Sequence, residues 1–136
     1  MTMILGGTNP AVTFPDGTIQ NTAATSVNTN TIAKAWAQAL GGTSSTLTIN
    51  GSFNVSSITR TALGRYVVNF TNALANINYA VSASSSSTQS QGIFCCPFYS
   101  AVGTISAPTT SAFSMVFIGT NGAAFDVDYV NFAVFD

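Results

Sequence analysis

The sequence predicts an all-β fold, an antiparallel β-sandwich of jelly-roll character preceded by an extended N-terminal β-arm. Three observations predict it. From Ala33 onward apolar and polar residues alternate with period two, turn residues recur at sandwich-like intervals, and helical periodicity is weak throughout. Residues 1–32 differ from the rest, being rich in Thr, Asn, Gly and Ala with scattered apolar side chains, so an arm over 1–32 and a sandwich domain over 33–136 are expected.

Within the arm, Phe14-Pro15-Asp16-Gly17-Thr18 is a turn signal, because proline sets φ, aspartate bonds its own backbone and glycine takes a positive φ. Val12 and Phe14 before it and Ile19 after it predict a short hairpin. A lone two-stranded hairpin is barely stable in water, so it needs a partner or a repeated copy of itself. Lys34, Trp36, Gln38 and Leu40 then alternate with alanines, and the Gly41-Gly42 stop favours extended structure over helix. Trp36, where arm meets domain, is read as a packing anchor. Leu47 and Ile49 lead into Asn50-Gly51, a two-residue hairpin turn, with Phe53 and Val55 carrying the chain back.

Tyr66, Val68 and Phe70 share one face of a strand, and Tyr79, Val81 and Ala83 repeat the alternation. Ser84 to Gln91 is nearly all serine, too polar to bury, and predicts an exposed or disordered loop. Beyond it Ile93 to Tyr99 is aromatic and β-prone, Phe113, Met115 and Phe117 alternate, and Asn121-Gly122 supplies a second hairpin turn before a final strand from Ala124 to Phe135. Val130, Phe132 and Val134 continue the face of Asp126 and Asp128 with apolar side chains, so the second half of that strand is expected to be buried on both sides. A neighbouring subunit or a central place in the sandwich would account for it.

Only 5% of the 136 residues are charged, with a formal net charge of -1 and no histidine. Such a surface stays hydrated through hydroxyls and amides and does not repel its own copies, which favours an assembly over a free monomer. Three scattered cations, Lys34, Arg60 and Arg65, cannot neutralise a run of phosphates, so nucleic acid is disfavoured. No apolar run approaches the ~20 residues that span a bilayer. Met1 to Leu5 has no basic residue and no long apolar stretch, so no secretory signal is read and assembly in a cytoplasm is expected.

The missing histidine removes the usual general base and the usual metal ligand. Asp126 and Asp128, about 7 Å apart by strand rise, are the remaining carboxylate pair, with a spacing that suits sugar hydrolysis. Their favoured reading is two solvated side chains at an exposed strand end, and a calcium loop lacks the required glycine and glutamate. No cofactor or metal is expected. Cys95 and Cys96 are adjacent, point to opposite faces of a strand and read as small packing residues.

Val12-Thr13-Phe14-Pro15-Asp16-Gly17-Thr18-Ile19-Gln20 resembles a segment of bacteriophage tail-fibre and related virion proteins. Lys34-Ala35-Trp36, the stretches Ser52 to Thr59 and Gly64 to Thr71, Asn78 to Val81, and the closing Val130 to Phe135 follow in the order of such fibre modules. The resemblance covers roughly half the chain in separated blocks, and it lies in their shared order. It implies a phage structural protein, usually a homotrimer, whose arm, centred on Phe14, Pro15, Asp16 and Gly17, attaches to other virion proteins while the β-domain faces outward. It carries over no catalytic residue. The chain departs from the pattern after Trp36, where alanines replace bulkier residues, and from Ser84 to Phe117.

Two roles then compete: a short fibre or adhesin tip, binding host surface glycan, and a decoration, cement or head-fibre subunit that stabilises the capsid. In the first, the receptor-facing loop is Ser84, Ser85, Ser86, Ser87, Thr88 and Gln89, with Phe98 and Tyr99 beside it as the exposed aromatic pair. A glycan-degrading tailspike-type enzyme ranks third, since it would need Asp126 and Asp128 in a cleft.

Overall fold

The computed structural model describes residues 12–13, 15–17, 19–20, 32–88 and 92–136, and the chain divides into two compact units, Met1–Ile32 and Ala33–Asp136. In the first unit β1 (Val12–Thr13) and β2 (Ile19–Gln20) pair antiparallel, Val12 opposite Gln20 and Thr13 opposite Ile19. Gly17 turns the chain at φ +82°, and Pro15, Asp16 and Gly17 are exposed. This is the hairpin that the Pro-Asp-Gly chemistry predicts. Phe14 lies outside the described residues.

The second unit is a sandwich of two antiparallel sheets with a small hairpin appended. Its strands are β3 (Ala35–Leu40), β4 (Thr48–Phe53), β5 (Val55–Ala62), β6 (Arg65–Phe70), β7 (Ala80–Ser86), β8 (Ile93–Pro97), β9 (Tyr99–Ala101), β10 (Thr104–Ile105), β11 (Ala112–Gly119) and β12 (Tyr129–Phe135). One four-stranded sheet has the order β4-β3-β12-β7, the other β5-β6-β11-β8, and β9 pairs with β10. The first and last strands of the sandwich, β3 and β12, are paired at the centre of one sheet, the pairing a jelly roll also makes, while the β3–β4 and β5–β6 hairpins each stay within one sheet. Among the described residues no helix is long and apolar enough to cross a membrane.

The alternation in β3 decides the character of its sheet. Ala35, Ala37 and Ala39 are buried while Trp36, Gln38 and Leu40 face out. Alanine favours helix in isolation, but here β4 and β12 pair with both edges of β3 and fix it as a strand, so tertiary context overrides propensity. The opposed sheet supplies the bulk of the core through Tyr66, Val68 and Phe70 of β6 and Phe113, Met115 and Phe117 of β11. Phe132 of β12 reaches Phe113 across the sandwich with ring centroids 5.4 Å apart, edge to face.

One expectation about turns is corrected. Asn50-Gly51 is not a hairpin turn, because both residues lie inside β4. Gln38 faces Gly51 and Ala39 faces Ile49, leaving Asn50 as the extra residue of a β-bulge. The chain turns instead at Asn54, whose φ is +55°, and passes there from one sheet to the other. Asparagine tolerates this left-handed backbone, and its side chain secures the corner. The Asn54 amide donates to the carbonyls of Lys34 at 3.2 Å and Asn72 at 3.1 Å, and its oxygen accepts from Asn72 N–H at 2.8 Å.

The last strand is shorter than read, and it is buried on one side only, through Val130, Phe132 and Val134, because the outward face of its sheet has no layer over it in the single chain. It starts at Tyr129, and residues 125–128 cross between sheets after an isolated bridge between Ile118 and Ala124. The Asn121-Gly122 turn is present, with Gly122 at φ +79° and its N–H bonded to the Gly119 carbonyl at 2.9 Å. Cys95 packs against the core, where burial pushes its thiol up to about 12, and both cysteines are free.

Candidate functional site

Strand register arranges the outward residues of the β4-β3-β12-β7 sheet in rows. Phe53, Trp36, Ala133 and Ser82 form one row across the strands; Gly51, Gln38, Asn131 and Ser84 form the next; Thr48, Leu40, Tyr129 and Ser86 form the third. Trp36, Leu40, Phe53, Tyr129 and Phe135 each leave at least 40% of their surface exposed on this face. Single exposed apolar residues are ordinary, and these five are the ones that share a sheet face.

The first row steps from large to small side chains, and the step opens a shallow trough of about 340 Å³. Trp36 forms one wall, Ala133 the floor, Ser82 and Ser84 the opposite wall, and Gln38 and Asn131 lie along it. The indole is held in place from below. A Cβ on Gly51 would lie 3.6 Å from Cζ3 and 3.7 Å from Cη2 of Trp36, so the ring rests on bare backbone of β4. None of the lining side chains carries a charge.

This placement corrects several sequence expectations. Trp36 is 43% exposed on a sheet face and is not a buried packing anchor, because the alanines beside it take the inward positions. Ser84, Ser85 and Ser86 are not loop residues: they end β7, where β12 supplies the backbone partners that their composition gave no reason to expect. Ser87 and Thr88 follow the strand, the Thr88 N–H donating to Asp128 Oδ2 at 2.6 Å, and Gln89 lies outside the described residues. Phe98 and Tyr99 are half-buried and not an exposed pair. Phe98 turns the chain at φ +63° and sends its ring into the core, 5.8 Å from Tyr79 and 6.3 Å from Phe113. The most exposed aromatic on that side is Phe94, at 62%.

Of the two aspartates Asp128 is exposed as expected, but neither lies on a strand and Asp126 is drawn into a hydrogen-bond network. Arg60 donates from Nε and Nη2 to the two Asp126 oxygens at 2.8 and 2.7 Å, Gly64 N–H donates to Oδ1 at 2.9 Å, and Tyr66 Oη–H donates to Oδ1 at 3.2 Å. Burial alone would raise the Asp126 carboxyl, but the Arg60 and Gly64 bonds outweigh it and hold the carboxyl below its ordinary value. Burial and the Asp126 charge push the Tyr66 phenol up to about 12. This network pins the residues that deliver β12 to its sheet.

A carboxyl lowered on folding adds stability above its unfolded pKa, and that stability is lost as pH falls through the folded value. Thermal melts over a pH series are therefore expected to hold steady near neutrality and decline below about pH 4. Asp126→Asn should lower the neutral melting temperature and flatten the acid limb; a variant with the parent's acid slope would contradict this role.

Among the described residues no group of three or more His, Cys, Asp or Glu side chains could hold a metal ion. No protein-family model, curated protein or solved structure matches the chain. The chemistry of the site therefore rests on its own side chains.

Proposed function

We propose that the chain is a bacteriophage virion structural protein, a short fibre-type subunit that forms a homotrimer, attaches through its N-terminal unit to other virion proteins and displays the sandwich to host glycan. The observation that supports it is where the blocks resembling fibre modules fall. Lys34 to Trp36 enters β3, Ser52 to Thr59 spans the Asn54 corner, Gly64 to Thr71 covers β6, Asn78 to Val81 leads into β7, and Val130 to Phe135 fills β12. They are thus parts of a single sandwich, and the Pro15-Asp16-Gly17 hairpin belongs to a separate unit. The low charge suits a protein that works in an assembly.

The glycan-cleaving alternative draws nothing from Asp126 and Asp128, since one is committed to Arg60 and the other to the Thr88 backbone.

The test is the mass in solution by light scattering. The full-length protein is expected at three times the 14.0 kDa of one chain. Removal of residues 1–32 assigns the trimer contact: loss of the trimer places it in the arm, retention places it in the sandwich. A full-length monomer across a wide concentration range sinks the fibre-type reading.

A further inference from the structure

The middle row of the outer sheet face is polar, flanked on one side by Phe53, Trp36 and Ala133 and on the other by a mixed row in which Leu40 and Tyr129 stand between Thr48 and Ser86. Gln38 and Asn131 face each other across β3 and β12, Ser84 continues the row on β7, and Ser82 sits beside it. Among the described residues, their side chains make no hydrogen bond to the protein. Each amide offers two donors and an acceptor, and each serine offers one donor and two lone pairs. Beside them stands the Trp36 ring, held against Gly51 with its other surface open.

We propose that this trough is a binding site for a neutral saccharide residue, with Trp36 as stacking platform and Gln38, Asn131, Ser82 and Ser84 as hydroxyl-binding groups. The C–H face of a sugar ring is apolar and weakly positive, and it complements the negative face of an indole. The equatorial hydroxyls around the same ring are donors and acceptors at once, which paired amides and hydroxyls satisfy.

The size fits as well. A volume of about 340 Å³ stands at the small end of ligand sites, which run about 300–1,000 Å³, and suits a mono- or disaccharide. Charge selects the class. The lining carries no cation to recruit a carboxylate or sulfate, so sialylated or sulfated sugars gain nothing here.

A second copy of the chain is the competing occupant, and the polar row argues against it. Docking an apolar face over Gln38, Asn131 and Ser84 would bury their donors and acceptors without partners, at a cost of about 1–3 kcal/mol for each group left unsatisfied. A sugar supplies those partners. The inference deepens the host-glycan part of the proposed function, yet it stands on side chains and holds for a monomer as well as a trimer.

Trp36 is the single tryptophan of the chain, so its fluorescence reports on this site alone. The experiment titrates full-length protein with glucose, galactose, mannose, fucose, N-acetylglucosamine and their common disaccharides, with sialic acid as the charged control. Emission of Trp36 and its quenching by acrylamide are followed.

At least one neutral sugar is expected to shift the emission saturably and to protect Trp36 from acrylamide, with sialic acid inert. Gln38→Ala and Asn131→Ala should each weaken that response about tenfold, the loss of roughly one to two hydrogen bonds. Both residues lie on the outer face, so melting temperatures should stay near the parent's, which separates lost binding from lost folding.

The proposal is overturned if acrylamide reaches Trp36 freely and no neutral sugar changes its emission. It is equally overturned if Trp36 is shielded only as protein concentration rises, because a second copy then covers the face. Light scattering on the same samples separates the two readings: a silent, exposed Trp36 in a trimer sinks the site alone, and a monomer that responds to sugar sinks the trimer alone.

Discussion

Replacing Gly64 with alanine is expected to destabilise the sandwich by about 4 kcal/mol or more, among the largest effects a single methyl group can have. Gly64 sits in the turn between β5 and β6 at φ +63°, and a Cβ there would lie 2.6 Å from both the N and the O of Phe125 and 2.9 Å from the O of Phe117. All three atoms are backbone, so no side chain can swing aside to make room. The same residue donates its N–H to Asp126 at 2.9 Å and accepts from Phe117 N–H at 2.9 Å, so any shift of the turn also loosens the Arg60–Asp126 network.

Gly103 is the control, with φ +74° and nothing within 4 Å of an added Cβ. Gly103→Ala carries the conformational cost alone, about 1 kcal/mol. Thermal melts should place Gly64→Ala more than about 10 °C below the parent and Gly103→Ala within a few degrees of it. If the two variants melted together, the close packing of the β5–β6 turn against residues 117–125 would be wrong.

The contrast between Gly64 and Gly103 also explains what the sequence could reveal. Local patterns are legible: Tyr66, Val68 and Phe70 alternate because one face of β6 is buried, and Pro15-Asp16-Gly17 turns because of its own backbone chemistry. What depends on distant partners is not. Ser84 to Ser86 read as loop because serine has little to bury, and only β12 alongside makes them a strand.

Asn50-Gly51 has the chemistry of a hairpin turn, but the register between β3 and β4 absorbs Asn50 as a bulge and leaves Asn54 to turn the chain. Arg60 and Asp126 are 66 residues apart, so no spacing rule pairs them. The candidate site was missed for the same reason. Trp36, Asn131 and Ser82 come from three strands, and only the register between those strands brings them to one trough. The available signal was the run of alanines at positions 35, 37 and 39, which claims the inward face and sends Trp36 out.

Phe113→Ala should cost about 3–5 kcal/mol, toward the upper end of that range for a buried aromatic. The ring is 2% exposed and is surrounded by Phe132 at 5.4 Å, Phe70 at 5.9 Å, Phe98 at 6.3 Å and Tyr79 at 6.4 Å between centroids. Phe132 and Phe70 come from the two sheets, Phe98 from the kink after β8 and Tyr79 from the residue before β7, so the cavity cannot close by moving one element. Phe113→Leu leaves less empty space and should cost roughly half as much. Denaturant unfolding of both variants, read at the midpoint with the slope unchanged, measures the difference. A cost below about 1 kcal/mol for Phe113→Ala would mean that the sheets do not close over this ring.

The trough gives this variant a second use. Phe132 points at Phe113, while its chain neighbours Asn131 and Ala133 line the trough on the opposite face. Pairing with β3 on one side and β7 on the other fixes the backbone of β12, and that pairing does not involve the lost ring. Below its lowered melting temperature, Phe113→Ala should therefore keep the saccharide response of Trp36 within about twofold of the parent, a shift of less than about 0.5 kcal/mol. Loss of the response in a folded variant would show that the core, and not the ladder, sets the geometry of the outer face.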